Sequence, residues 1–230
     1  MRKQETTSGT IGNAPGTKTR IPAPNGRRAL TDTFSMIGAT LPFRRNAEIF
    51  GEGEPSEYVY RVQSGAVRTS KLLSDGRRQI GAFHMPGDIF GLEAGDLHQF
   101  TAEAISDVTV LFVKRSIIMS LAARDGAVAS ELWSVTADAL RRAHEHMLAL
   151  GRKSAQERIA TFLLGIAERT EKDDMVELPM SRLDIADYLG LSIETVSRTL
   201  SLLESEAAIE LPSFRRIRLR NKDALSRLNA

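Results

Sequence analysis

Residues 182–204 read RLDIADYLGLSIETVSRTLSLLE, a pattern that predicts two short helices joined by a tight turn. The small residues Ala186 and Gly190 stand where two crossed helices come close and where the turn between them needs a positive φ angle. Four apolar residues have the spacing that buries a seam shared by both helices: Ile185, Leu189, Leu191 and Val196. The order of these features predicts a helix-turn-helix unit.

The second predicted helix carries a polar face. Ser192 is placed to cap its first turn, because a serine hydroxyl accepts hydrogen bonds from the free N–H groups there. Glu194, Ser197 and Arg198 share one side, since residues three and four apart stack on a helix. Such a helix is typical of DNA recognition in the major groove, with Ile193, Glu194, Ser197 and Arg198 as predicted base contacts. The alternative is an ordinary surface pair between Glu194 and Arg198.

The residues after this helix predict a wing. In residues 209–220, IELPSFRRIRLR, apolar residues alternate on both sides of Pro212-Ser213-Phe214, as in a β-hairpin. Cations on or beside a hairpin suit DNA phosphates rather than bases. The predicted phosphate contacts combine these cations with hydroxyls at the helix start: Arg215, Arg216, Arg218, Ser192 and Thr195.

The net charge of +2 hides an uneven distribution. Residues 1–30 and residues 212–230 each contain six basic residues and one acidic residue, so each end carries +5 and the middle carries −8. Basic ends around an acidic middle indicate a local site for a polyanion. Residues 1–30 lack large apolar side chains and are predicted to be a disordered basic tail, either a passive tail or an arm that touches DNA.

The rest of the chain predicts an α+β architecture with three parts. Residues 31–115 show short apolar alternations, recurring glycines and an Asp75-Gly76 hairpin signal, which favour a β jelly roll. Residues 116–151 become helical and residues 152–230 form the winged helix-turn-helix. One apolar seam of the central helix needs a partner, either the β-domain or the same helix of a second copy, and we assign it to dimerisation: Leu132, Val135, Ala139, Ala143, Met147 and Leu150.

Composition excludes several classes of function. The chain has no cysteine, which excludes disulfides, cysteine zinc sites and cysteine-ligated iron–sulfur clusters. No apolar run is long enough to span a bilayer, and no signal segment is present, so we expect a cytoplasmic protein without membrane contact. The four histidines lack the spacing of metal ligands, and no catalytic cluster is visible. We therefore expect no cofactor, no metal and no enzymatic activity.

Several motifs resemble the CRP/FNR superfamily of bacterial transcription regulators, from about residue 30 to the C-terminus. Residues 194–198, ETVSR, are similar to the E-x-x-S-R signature of its FNR and FixK branch. Residues 51–52, 62–67 and 86–91 resemble landmarks of its cyclic-nucleotide-binding-like jelly roll. The resemblance implies a homodimer that reads a TTGA-N6-TCAA palindrome and, as an activator, contacts RNA polymerase.

The chain departs from that superfamily at two points, and these departures indicate which of its branches the chain resembles. Relatives that bind cyclic nucleotides hold the phosphate with an arginine, whereas Phe100, Thr101, Ala102 and Glu103 occupy this place. FNR itself needs a cysteine cluster, which is absent. The FixK branch, active without an obvious small effector, therefore resembles the chain best. The alternative is a regulator whose jelly-roll pocket binds a ligand, haem included, to switch DNA binding.

Overall fold

A computed structural model of the chain describes residues 27–170 and 174–229. Its first element is helix α1 (Arg27–Ile37), in which Leu30 and Phe34 are fully buried. Residues 27–30 of the predicted tail therefore belong to α1, and the single large apolar residue among them, Leu30, gave too weak a signal to predict the helix. The rest of the predicted tail, residues 1–26, lies outside the described residues. No helix in the described ranges is long and apolar enough to cross a membrane.

Eight antiparallel strands form the predicted jelly roll. In chain order they are β1 (Ala39–Phe43), β2 (Glu48–Phe50), β3 (Tyr58–Ser64), β4 (Val67–Leu72), β5 (Arg78–His84), β6 (Ile89–Phe90), β7 (Thr101–Ala104) and β8 (Val108–Lys114). One sheet has the order β1-β8-β3-β6 and the other has the order β2-β7-β4-β5. Gly76 takes a φ of +83° in the turn between β4 and β5, which confirms the predicted hairpin.

Aromatic rings fill the space between the two sheets. The ring centroids of Phe50, Tyr60 and Phe90 lie 5.2 to 6.1 Å apart, within the range of favourable ring contacts. The buried ring of His98 stacks on Phe50 with centroids 3.6 Å apart. The interior of the jelly roll is therefore a packed core.

Two helices follow the jelly roll, α2 (Arg115–Ala122) and α3 (Gly126–Arg152). The 27 residues of α3 make about seven turns. Its first half packs on α1, where the buried Glu131 carboxylate accepts a hydrogen bond from the Leu30 N–H at 2.6 Å. A carboxylate at a helix N-terminus is stabilising, so this contact holds α1 on α3.

The C-terminal domain is a winged helix-turn-helix, as predicted. Its elements are α4 (Ala155–Thr170), β9 (Met175–Glu177), α5 (Arg182–Leu189), α6 (Ile193–Ser205), β10 (Ile209–Ser213), β11 (Arg216–Leu219) and α7 (Lys222–Asn229). The three strands pair in the order β10-β11-β9 and form the wing. The predicted boundaries at residues 115 and 151 fall within one residue of the start of α2 and the end of α3.

One apolar cluster joins the two domains. It combines the buried side chains of the C-terminal domain with jelly-roll residues that include Ile80, Phe83 and Met85. The ring of Phe83, on β5, lies 5.2 Å from the ring of Tyr188, on α5. The helix-turn-helix therefore rests directly on the second sheet of the jelly roll.

Candidate nucleic-acid interface

Side chains and a glycine define where α5 and α6 begin and end. Ser181 Oγ accepts a hydrogen bond from the Asp184 N–H at 3.1 Å, and the Asp184 carboxylate accepts one from the Ser181 N–H at 2.9 Å. These reciprocal bonds form a capping box at the start of α5. Gly190 ends α5 with a φ of +63°, and Ser192 Oγ accepts the Thr195 N–H at 3.1 Å to begin α6. The predicted turn glycine and the predicted cap at Ser192 are both confirmed.

The predicted apolar seam between α5 and α6 is buried. Leu191 is partly buried against the same cluster. The other seam residues and the inward-facing leucines of α6 are almost fully buried: Ile185, Ala186, Leu189, Val196, Leu200 and Leu203. This core fixes which face of α6 is turned outward.

The outward face of α6 carries all four predicted base contacts. Ile193, Glu194, Ser197 and Arg198 are exposed in its first two turns. Bonds from its own N–H and from Ser192 lower the pKa of the Glu194 carboxyl, and the charge of Arg198 adds to this effect. In the part of the chain that the structure describes, no ion pair joins Glu194 to Arg198 within 4.0 Å. The two charged groups are therefore not committed to each other, and both lie on the exposed face of α6.

The hydroxyls predicted to contact phosphates lie at the N-terminus of α6. Ser192 Oγ and Thr195 Oγ1 are 3.1 Å apart, with Ser192 exposed and Thr195 partly buried. The positive end of the helix dipole points to the same place and favours an anionic group there. The phosphate contacts of these two residues stay predictions.

The wing arginines have two different environments. Arg215 and Arg216 are exposed, and no carboxylate of the described residues pairs with them. Arg218 instead shares the Glu210 carboxylate with Arg220, at 3.1 and 2.9 Å respectively. Arg215 and Arg216 are therefore better placed than Arg218 to meet phosphates, which sequence spacing alone did not distinguish.

The six residues of the predicted dimerisation seam lie in two environments. Leu132, Val135 and Leu150 are partly buried against their own chain, and Leu132 packs on the cluster beneath α1. The other three are exposed: Ala139, Ala143 and Met147. Half of the predicted seam therefore holds α3 on its own chain.

A second apolar stripe on α3 faces solvent, and the sequence reasoning missed most of it. Trp133, Leu140 and Met147 are 75%, 56% and 62% exposed. Residues seven apart lie on one side of paired helices, so the heptad spacing of these three residues was the available signal. We call Trp133, Leu140 and Met147 the outer stripe.

Arg158 joins the ends of α3 and α5. Its guanidinium donates hydrogen bonds to the backbone carbonyls of Leu150 at 2.8 Å, Lys153 at 2.9 Å and Leu189 at 2.9 Å. Carbonyls in the last turn of a helix have no partner within the helix, so a cationic donor is favourable there. Nothing in the local sequence pattern singled out Arg158.

Three of the four histidines, His84, His98 and His146, stack on aromatic rings. The rings of His146 and Tyr188 stack 3.9 Å apart, and His146 Nε2 lies 2.7 Å from the Tyr188 carbonyl oxygen. Burial lowers the pKa of His146, although this contact acts in the opposite direction. Within the described residues, no three His, Asp or Glu side chains form a group that would hold a metal ion.

Two family profiles match the parts that the structure separates. Residues 40–125 match a cyclic nucleotide-binding domain, and residues 157–228 match a Crp-like helix-turn-helix domain. The chain is 50% identical over 201 residues to the nitrogen fixation regulation protein FixK of Azorhizobium caulinodans, covering 85% of this chain and 81% of that protein. The chain belongs to the CRP/FNR family of transcription regulators.

Other members of the CRP/FNR family are also similar. FixK of Rhizobium meliloti is 43% identical over 186 residues, covering 81% of this chain and 85% of that protein. The transcriptional activatory protein AadR of Rhodopseudomonas palustris is 37% identical over 182 residues, covering 77% and 76% respectively. The solved structure of FixK2 from Bradyrhizobium japonicum has a TM-score of 0.82 and 54% identity, covering 85% of this chain and 98% of that chain.

These similarities confirm the family predicted from the motifs and the FixK branch predicted from the missing arginine and cysteines. The chain is a DNA-binding transcription regulator of the FixK type, with a helix-turn-helix in its C-terminal domain. Proteins of the CRP/FNR family are regulators and not enzymes.

Proposed function

We propose that this regulator binds a TTGA-N6-TCAA palindrome as a homodimer, without a cyclic nucleotide or an iron–sulfur cluster. The observation that carries the proposal is the open face of Ile193, Glu194, Ser197 and Arg198 on a capped helix with a buried back. Arg198 can donate twice to guanine, Glu194 can accept from cytosine, and Ile193 suits a thymine methyl. An apolar Ile193 cannot donate to guanine, so TTGA fits better than GTGA.

The outer stripe supports the homodimer. Three large apolar side chains at heptad spacing are largely exposed on α3, and a second copy of α3 would cover them. Pairing along α3 would place two α6 helices on one face of DNA, about 34 Å apart, which matches half-sites one helical turn apart. The dimer contacts proposed here are the outer stripe together with Ala139 and Ala143.

Packing in the jelly roll supports activity without a cyclic nucleotide. The interior is filled by aromatic rings, and residues 100–103 supply no arginine for a cyclic phosphate. The Glu103 carboxylate accepts a hydrogen bond from Arg68 Nε at 3.0 Å, and Arg68 also donates to the Asp184 carboxylate. The absence of cysteine from the chain supports activity without an iron–sulfur cluster.

We further propose that the regulator activates transcription and contacts RNA polymerase once it is bound to DNA. Support comes from AadR, a relative whose name describes an activatory protein. A reporter with the palindrome upstream of a promoter would give increased expression for an activator and decreased expression for a repressor.

Fluorescence anisotropy without any effector tests the DNA proposal. The duplexes carry TTGAT and ATCAA separated by four base pairs, the GTGA version of the same site, and a scrambled sequence, all at one stated salt concentration. We expect tight binding to the first duplex alone. Equal weak binding to all three would contradict effector independence, and an absorbance spectrum of the purified protein would then test for haem.

A further inference from the structure

Two arginines of the jelly roll reach the first helix of the helix-turn-helix. Arg68 Nη1 on β4 lies 2.7 Å from Asp184 Oδ1, and Arg78 Nη2 on β5 lies 3.0 Å from the same oxygen. Arg78 Nη2 also lies 2.7 Å from Asp187 Oδ2, one turn further along α5. We call these four residues the clasp.

The two carboxylate oxygens of Asp184 bind different partners. Oδ2 accepts the bonds from the Ser181 N–H and hydroxyl that begin α5, at 2.9 and 2.7 Å. Oδ1 faces the jelly roll and accepts both arginines. The same side chain therefore holds the start of α5 and attaches it to the second sheet.

Arg68 is also held by a carboxylate of the jelly roll. Arg68 stands directly opposite Glu103 on the neighbouring strand and donates to its carboxylate at 3.0 Å. Side chains of Arg68 and Asp184 are only 11% and 7% exposed, so water screens this contact weakly. Burial would raise the pKa of Asp184, but bonds from Ser181 and the charges of both arginines outweigh it and lower the pKa.

We propose that Arg68 and Arg78 are positioning residues for DNA recognition: the clasp fixes the angle at which each protomer presents α6, and thereby the spacing of half-sites that the dimer accepts. The inference rests on the proposed homodimer and palindrome. The clasp uses the side of α5 that faces β4 and β5, while Glu194 and Arg198 on α6 stay exposed. The clasped arrangement therefore leaves the DNA-reading face open, as an effector-independent regulator requires.

The test compares palindromes whose half-sites are six, seven or eight base pairs apart. The proteins are the wild type, Arg78→Ala, Asp187→Ala and the double variant, since Arg78 and Asp187 are 25% and 21% exposed and the chain should fold without them. Arg77→Ala is the matched control, because Arg77 pairs with Asp75 in the β4–β5 turn and not with α5. Thermal unfolding checks that each variant is folded.

We expect the wild type and Arg77→Ala to prefer the six-base-pair spacing strongly. Arg78→Ala and Asp187→Ala should reduce that preference about five- to tenfold, at the lower end of coupling between protein sites. The double variant should lose no more than Arg78→Ala, because both changes break the same contact. A loss of stability alone would lower the active fraction without changing the ratio between spacings.

Two results would overturn the positioning role. One is an unchanged spacing preference in Arg78→Ala while the wild type discriminates, which would leave the palindrome proposal intact. The other is tighter binding of Arg78→Ala to the six-base-pair duplex, which would mean that the clasp holds α6 away from DNA. If the wild type itself ignored spacing, the homodimer on a palindrome would fail, and the positioning role with it.

Discussion

Replacing Leu140 by Glu places a carboxylate in the middle of the outer stripe. Leu140 is 56% exposed in the single chain. Covering this exposed part in a dimer contributes about half of the roughly 1.5–3 kcal/mol for full burial of a leucine. A two-fold axis puts this side chain into the interface twice, which gives about 1.5–3 kcal/mol for the dimer. We expect the dissociation constant of the dimer to rise about 10- to 150-fold from the lost burial.

Sedimentation velocity over a dilution series measures this constant directly. Leu72→Glu is the matched control, because Leu72 is 69% exposed but lies at the end of β4 rather than on α3. The control should dimerise like the wild type. A Leu140→Glu protein with the wild-type dissociation constant would refute the assignment of the outer stripe to the dimer contact.

Three further outcomes are expected. Arg198→Ala should cost about 1–3 kcal/mol of binding and relax the preference at guanine, whereas Arg216→Ala should weaken binding to palindromic and scrambled duplexes alike, as anisotropy can measure. Ser181→Ala removes the cap of α5 and should lower the free energy of unfolding in urea by about 1 kcal/mol, while Ser181→Thr retains most of it. Because the pKa of Asp184 is lowered in the folded chain, its stabilisation is present above about pH 4 and is lost as the pH falls through the folded pKa. In urea unfolding between pH 7 and pH 3, the free energy of unfolding should fall less for Asp184→Asn than for the wild type.

The DNA-reading unit was predictable because its structure is local. The seam, the turn glycine and the cap of α6 all lie within residues 182–204, so helical spacing alone relates them. The same holds for the Asp75-Gly76 hairpin, whose turn depends on two adjacent residues. Local chemistry also separated the FixK branch from branches that need a cyclic nucleotide or cysteine.

Contacts between distant residues were not predictable in this way. Arg68 and Asp184 are 116 positions apart, and their contact depends on which sheet α5 rests upon. The two apolar stripes of α3 have similar helical periodicity, so spacing could not tell which one faces the jelly roll. Leu132 packs on its own chain while Leu140 is exposed, and only the packed structure separates them.

The bonds made by Arg158 have a consequence for the construction of hybrid regulators. A hybrid joined at residues 153–154 would take Leu150 and Lys153 from one parent and Arg158 and Leu189 from the other, so two of the three carbonyl contacts would join unrelated sequences. A junction between α2 and α3 transfers Arg158 with all of its acceptors. To keep the Arg158 contacts within one parent sequence, a hybrid should therefore exchange the central helix together with the DNA-binding domain.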